Sequence, residues 1–126
     1  MILLGVADGD IENDAELLAA KISKLRIFCD EDGKMNLSVK DVGGETVIVS
    51  NFTLLANYVK GNRPDYFGAA APDEANRLYE YFGSLMEKEL SHVGYGVFGA
   101  DMEVTIVNDG PVTIVMDSKM LAKKKS

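Results

Sequence analysis

The stretch Gly96-Val-Phe-Gly-Ala-Asp-Met-Glu-Val-Thr-Ile-Val-Asn-Asp-Gly-Pro-Val-Thr-Ile-Val-Met116 decides the fold class. Within it Met102, Val104 and Ile106 alternate with Glu103 and Thr105, the two-residue period of a strand with one buried face. Asn108-Asp-Gly-Pro111 then interrupts, and Val112 to Met116 resumes the apolar pattern, so the segment predicts strand, turn, strand. A connection this short leaves no room for a helical crossover, and the expected sheet is therefore largely antiparallel.

Moving outward, Gly43-Gly44 opens Glu45 to Ala56, where Val47, Ile48, Val49, Phe52, Thr53 and Leu54 supply the β-branched and aromatic density of a central strand. Pro72 suits the first turn of a helix in which Leu78, Phe82, Leu85 and Met86 recur at helical spacing, and which ends near Leu90 to Gly94. Lys60 to Pro64 reads as a loop. Near the start, Met1 to Val6 is an apolar run expected as a buried strand. Asp10 or Asn13 can cap a first helix carrying Leu18, Ile22 and Leu25, with Lys21, Lys24 and Arg26 near its end. Asp30-Glu-Asp-Gly33 forms a turn before a short strand over Met35 to Val39. Two main helices mixed with strands and tight turns make the expected fold class α+β.

A chain of 126 residues and 13.7 kDa, 47% hydrophobic, has room for a single domain. Its 13 basic against 20 acidic residues leave a net charge of −7, which argues against wrapping a duplex through many phosphates and confines any nucleic-acid contact to a local patch. The lone cysteine, Cys29, has no internal disulfide partner, and no leader of secretory type precedes the first acids, so the expected compartment is the cytoplasm. Apolar runs such as Val47 to Val49 and Ile114 to Met116 fall far short of the roughly 20 residues that cross a bilayer. Cys29 and the single histidine, His92, are too few to build a zinc site, and no metal is expected. Lys119 to Ser126, with Lys123 to Lys125, reads as a frayed, solvated tail.

Catalytic signatures with fixed spacing are absent: no Gly-rich phosphate loop, HExxH, GxSxG or CxxC occurs. His92 reads as a solvated helix-end imidazole and Cys29 as a small half-buried hydrophobe. Two places stand out. Ser50-Asn-Phe-Thr53 sets two hydroxyls and an amide in a segment apolar enough to be buried, so each needs either a local capping bond or a ligand. Gly110-Pro111 is either an ordinary turn or a cis peptide that would direct its carbonyls.

Leu25-Arg-Ile-Phe28, Gly33-Lys-Met-Asn-Leu-Ser38, Ser50-Asn-Phe-Thr-Leu54, Lys60-Gly-Asn-Arg-Pro64, Ala70-Ala-Pro72, Gly96-Val-Phe-Gly-Ala-Asp-Met102 and Asn108-Asp-Gly-Pro-Val-Thr113 occur in the order found in D-aminoacyl-tRNA deacylases. The sequence resembles that family from Leu3 to Ser118, which makes residues 1–118 one deacylase-like domain and 119–126 a lysine-rich C-terminal tail.

The resemblance implies a cytoplasmic homodimer with a barrel-like, largely antiparallel domain. It implies hydrolysis of the ester joining a D-amino acid, or mischarged glycine, to the 3′ end of tRNA, with no metal or organic cofactor. Ser50, Phe52 and Thr53 would be catalytic, Phe52 and Thr53 through main-chain donors to the carbonyl oxygen. Asn51, Leu54, Ala100 and Met102 would bind substrate, and Gly110-Pro111 would enter the partner's site and screen handedness.

Lys60 and Arg63, with Lys119 and Lys123, would lie near the RNA end. Two departures are visible. Asn51 stands where the family has glutamine, and Met1 aligns inside a later strand, so that the family's N-terminal strand pair has no counterpart. A noncatalytic, dimeric nucleic-acid-binding relative is the competing reading.

Overall fold

The computed structural model describes residues 1–122, so Lys123 to Lys125 lie outside the described residues. The chain begins with β1 (Ile2–Leu4) and turns through Asp8 and Gly9 into α1 (Glu12–Lys24). It then forms a hairpin of β2 (Arg26–Cys29) and β3 (Met35–Ser38). β4 (Thr46–Ser50) leads into a 3-10 turn over Phe52–Leu55, followed by α2 (Pro72–Glu89), β5 (Val93–Tyr95) and the short α3 (Ser118–Ala122).

The main sheet has the order β1-β4-β5, and both pairings are parallel, with Ile2 opposite Ile48, Leu4 opposite Ser50 and Ile48 opposite Tyr95. This corrects the expectation of a largely antiparallel sheet. Each pair of neighbouring strands is separated in sequence by a helix, α1 or α2, long enough to carry the chain back to the starting end, and that geometry makes the strands parallel. Antiparallel pairing is confined to the β2–β3 hairpin. The result is a mixed α/β fold with three helices and small sheets.

The expected strands over Met102 to Met116 do not form. A strand needs a second backbone to satisfy its N–H and C=O groups, and no described strand lies against this segment. Its apolar residues stay in the open, Val107 and Val115 above 90% exposed.

Helix α1 is capped between the two predicted positions, Asp10 and Asn13. Ile11 takes the capping position with an extended backbone, and its N–H donates to the Asp14 carboxylate at 2.8 Å. Asp10 instead accepts the Ala7 N–H at 2.8 Å, closing the turn after β1. The helix ends at Lys24, because Leu25 is already extended, and Arg26 therefore opens a strand rather than finishing a helical turn.

Small residues, Ala15, Ala19 and Ser23, form the buried stripe of α1, while α2 buries Leu78, Tyr79, Phe82, Gly83 and Met86. Ala15 and Ala19 with Tyr79, Phe82 and Met86 meet Leu4 and Ile48 of the sheet in the main core, while Leu78 packs with Val6 and Ala75 in a smaller second cluster. Outside it, Arg77 bridges the helices, donating to Glu12 at 2.8 Å and Glu74 at 2.5 Å. Of the tail expected to fray, the described residues belong to α3: the Ser118 hydroxyl donates to Asp14 at 2.9 Å, and α3 packs along α1.

Candidate functional site

In a parallel sheet the carboxyl ends of the strands point to one edge, where helices and loops leave room for a ligand. The polar segment singled out in the sequence sits at that edge. The Asn51 N–H donates to the Leu4 carbonyl at 2.8 Å, and there the chain leaves the sheet. The central strand was expected to run to Ala56, but it stops at Ser50, and Phe52–Leu55 coils into a 3-10 turn.

Asn51 causes the change: its Oδ1 accepts the Thr53 N–H at 3.3 Å and the Thr53 hydroxyl at 2.5 Å, so a side-chain amide offers the backbone an alternative to the ladder. The open choice between local capping and ligand contact thus resolves into a cap made by the amide, with Thr53 as its donor.

The turn is seated closely on β1. A Cβ built on Gly5 would come within 2.7 Å of Leu55 Cδ2, 3.1 Å of Leu54 Cβ and 3.3 Å of the Asn51 carbonyl. Phe52 stands 56% exposed, edge-to-face with Tyr66 at 5.1 Å, and Leu54 is also exposed. Among the described residues the Phe52 N–H finds no acceptor, which leaves an unpaired main-chain donor at the start of the turn. An antiparallel bridge between Asn57 and Asp65 closes the following loop and holds exposed Lys60 and Arg63 near the turn's exit.

The second side of the site comes from β5. The Gly96 N–H donates to the Ile48 carbonyl at 2.9 Å, and Val49 and the sulfur of Met102 crowd Gly96 so closely that a Cβ there would meet them at 3.3 and 2.9 Å. Ala100 is exposed, its N–H donating to the Val97 carbonyl. The structure thus brings Ser50 to Leu54 and the 96–102 loop to one sheet edge from adjacent strands. It does not bring Gly110-Pro111 into that group: both residues are exposed, and the nearest atoms to a side chain on Gly110 belong to Asn108 and Val112 of the same turn. The Gly110-Pro111 peptide is cis.

The chemistry available is limited. Thr53 donates to an amide oxygen, which is no base, so the pair is not an activated nucleophile. No group of histidine, cysteine or carboxylate side chains suited to a metal occurs among the described residues. What the edge offers is fixed main-chain polarity with exposed apolar and aromatic side chains. Gly5, Tyr66 and Tyr79 went unremarked in the sequence. A glycine inside an apolar strand run is the one signal that could have marked Gly5, since it often indicates close approach of another backbone.

Beside the 96–98 segment, an open groove of about 470 Å³ is lined by Asn76, Tyr79, Glu80, Glu87 and Tyr95 among others. Burial, with a hydrogen bond to the Glu87 carboxylate, pushes the Tyr95 hydroxyl from 10.0 up to about 12. Because the folded value lies above the unfolded one, the stability this contact contributes is complete below pH 10 and is lost as pH rises through about 12. Ultraviolet titration should show late tyrosine ionisation reaching about pH 12, and Tyr95→Phe should reduce that late step.

The molecule is thus a small α/β domain whose polar 3-10 turn sits at the carboxyl edge of a parallel sheet. Residues 1–117 match the family model described as D-Tyr-tRNA(Tyr) deacylase, and the chain belongs to that family. It is 56% identical over 119 residues to a D-aminoacyl-tRNA deacylase of Porphyromonas gingivalis, an alignment covering 94% of this chain and 79% of that protein. A solved structure described as c-Myc DNA Unwinding Element Binding Protein is 41% identical, with a TM-score of 0.83 over 89% of this chain and 76% of that one. A second, described as "Structural Analysis of a probable eukaryotic D-amino acid tRNA deacylase", shares the fold at a TM-score of 0.73 and 15% identity, over 86% of this chain and 79% of that one.

Proposed function

We propose that this chain hydrolyses the ester bond of D-aminoacyl-tRNA, releasing the free D-amino acid and tRNA, and that it clears glycine from mischarged tRNA by the same route. The observation that carries the reading is the unpaired Phe52 N–H at the head of a turn fixed by Asn51. A donor held in place before the reaction stabilises the oxyanion of a tetrahedral intermediate, and one such donor is worth about 10²–10³ in rate. Thr53 N–H, which donates to Asn51 Oδ1 at 3.3 Å, is a second main-chain donor, available to the oxyanion when the Asn51 side chain releases it. Thr53 is paired with an amide oxygen rather than a base, so water is activated with help from the ribose 2′-hydroxyl, and the protein's share is position.

In this reading Ser50, Asn51 and Leu54 border the terminal adenosine and aminoacyl group from one side, Ala100 and Met102 from the other. Residues 1–118 carry the activity, and 119–126 stay outside it as the tail. Homodimerisation brings Gly110-Pro111 from one protomer into the site of its partner, where main-chain carbonyls reject an L side chain by clash and admit D residues and glycine. A barrel-like closure would cover Leu3, Val47 and the 102–116 segment, surface left exposed by the five described strands. The site of action is the cytoplasm. Binding is modest and salt-sensitive, because a chain of net charge −7 meets RNA only at Lys60, Arg63 and similar local cations. The relatives favour this reading over a noncatalytic nucleic-acid-binding one.

The test is release of D-tyrosine from D-Tyr-tRNA compared with L-Tyr-tRNA; equal or absent turnover of the two rejects the proposal. Sedimentation of a monomer under assay conditions rejects the shared site. Thr53→Ala should keep activity within about tenfold, whereas removing the nucleophile of a hydrolase triad costs on the order of a millionfold. Complete loss of activity in a folded Thr53→Ala protein would overturn the RNA-assisted mechanism.

A further inference from the structure

We propose that Tyr79 is a positioning residue for this site, its buried hydroxyl tethering the 96–102 loop to the end of β4. Tyr79 lies in the otherwise apolar stripe of α2 and is 4% exposed. A hydroxyl at that depth needs an acceptor, and it has two: the Ile48 carbonyl at 3.1 Å and the Gly96 carbonyl at 3.3 Å. The Ile48 carbonyl also accepts the Gly96 N–H at 2.9 Å. Three elements therefore meet at one polar node inside the core: the central strand, the segment leaving β5 and the long helix.

β5 ends at Tyr95, so beyond Gly96 no ladder bond holds the chain, and the node fixes the start of the segment that leads through Phe98 to Ala100 and Met102. The Tyr79 ring contacts Tyr95 and Phe98 at centroid distances of 6.1 and 6.0 Å, and these contacts do not depend on the hydroxyl. Burial raises the Tyr79 pKa, so the group remains a donor across the neutral range. The proposal rests on the reading above in that the 96–102 loop must line the substrate site.

Tyr79→Phe removes the tether and keeps the rings. The expected result is a fall in kcat for D-Tyr-tRNA of about tenfold with KM little changed, since loss of orientation acts on the transition state. Amide hydrogen exchange should quicken in the 96–102 segment while the rest of the protein keeps its protection. Wild-type kinetics overturn the proposal, whether or not exchange changes, because faster exchange alone marks a merely structural tether.

Gly96→Ala approaches the same loop from its other side, through Met102 and Val49. It should reproduce the kcat effect, and it decides the matter if Tyr79→Phe does not fold: a folded Gly96→Ala protein with wild-type kcat overturns the proposal. An unsubstituted chain without D-ester turnover rejects the underlying reading instead, and with it any role of Tyr79 in the site. That outcome is told apart from failure of the tether by the wild-type assay alone.

Discussion

Gly5→Val is expected to reduce D-ester hydrolysis about a hundredfold, the loss that follows when catalytic geometry shifts by about 1 Å. Gly5 has no positive φ, so its backbone is open to any residue and the constraint is purely one of space. Already a methyl group would press on Leu55 Cδ2 at 2.7 Å, Leu54 Cβ at 3.1 Å and the Asn51 carbonyl at 3.3 Å. The Leu55 methyl can rotate away, but Leu54 Cβ and the Asn51 carbonyl belong to the turn itself and can yield only if the turn lifts from β1.

Lifting it moves the Phe52 N–H and strains the Leu4–Asn51 hydrogen bond. Overpacking of this kind costs about 1–3 kcal/mol of stability, much less than the whole domain holds. Single-turnover assays beside urea denaturation separate the two effects, and Gly5→Ala should fall between Val and wild type. Wild-type turnover in a folded Gly5→Val protein would mean that the turn does not need its seat on β1.

The same contact shows what the sequence could and could not disclose. Helices α1 and α2 were legible from apolar residues at helical spacing, although α1 buries Ala15, Ala19 and Ser23 most deeply rather than Leu18, Ile22 and Leu25, and β4 was legible from its β-branched density. Strand direction was not, because period says which face is buried and nothing about which strand lies alongside. Met102 to Met116 shows this: a clean alternation predicted two strands, yet among the described residues no partner pairs with them.

At the site, Ser50 to Leu54 was visible as polarity amid apolar neighbours. That Asn51, read as a shortened glutamine, would end the strand and build the turn was a matter of three-dimensional reach. Gly5 and Tyr79 were hidden for a related reason. The importance of each lies in contacts with residues distant in the chain, Gly5 with Asn51 to Leu55 and Tyr79 with Ile48 and Gly96.

Phe82→Ala should destabilise the domain by about 3–5 kcal/mol. Phe82 has no exposed surface and belongs to the core cluster that joins Leu4 and Ile48 of the sheet to Ala15 and Ala19 of α1 and to Tyr79 and Met86 of its own helix. Truncation removes the transfer energy of a whole ring and leaves a cavity. The small residues of α1 cannot fill it without moving the helix bodily, and the Arg77 bridge to Glu12 and the Tyr81 bond to Glu16 tie that helix to α2.

Against a total stability of about 5–15 kcal/mol, the variant would lose about a fifth or more of what holds it folded, with a melting temperature lower by roughly 10–20 °C. Urea titration read by circular dichroism measures this directly, and a change below 1 kcal/mol would mean that the core closes around the gap. Burial alone separates this residue from the other phenylalanine that matters most: Phe52 holds nothing in the core, and its ring stands open at the sheet edge.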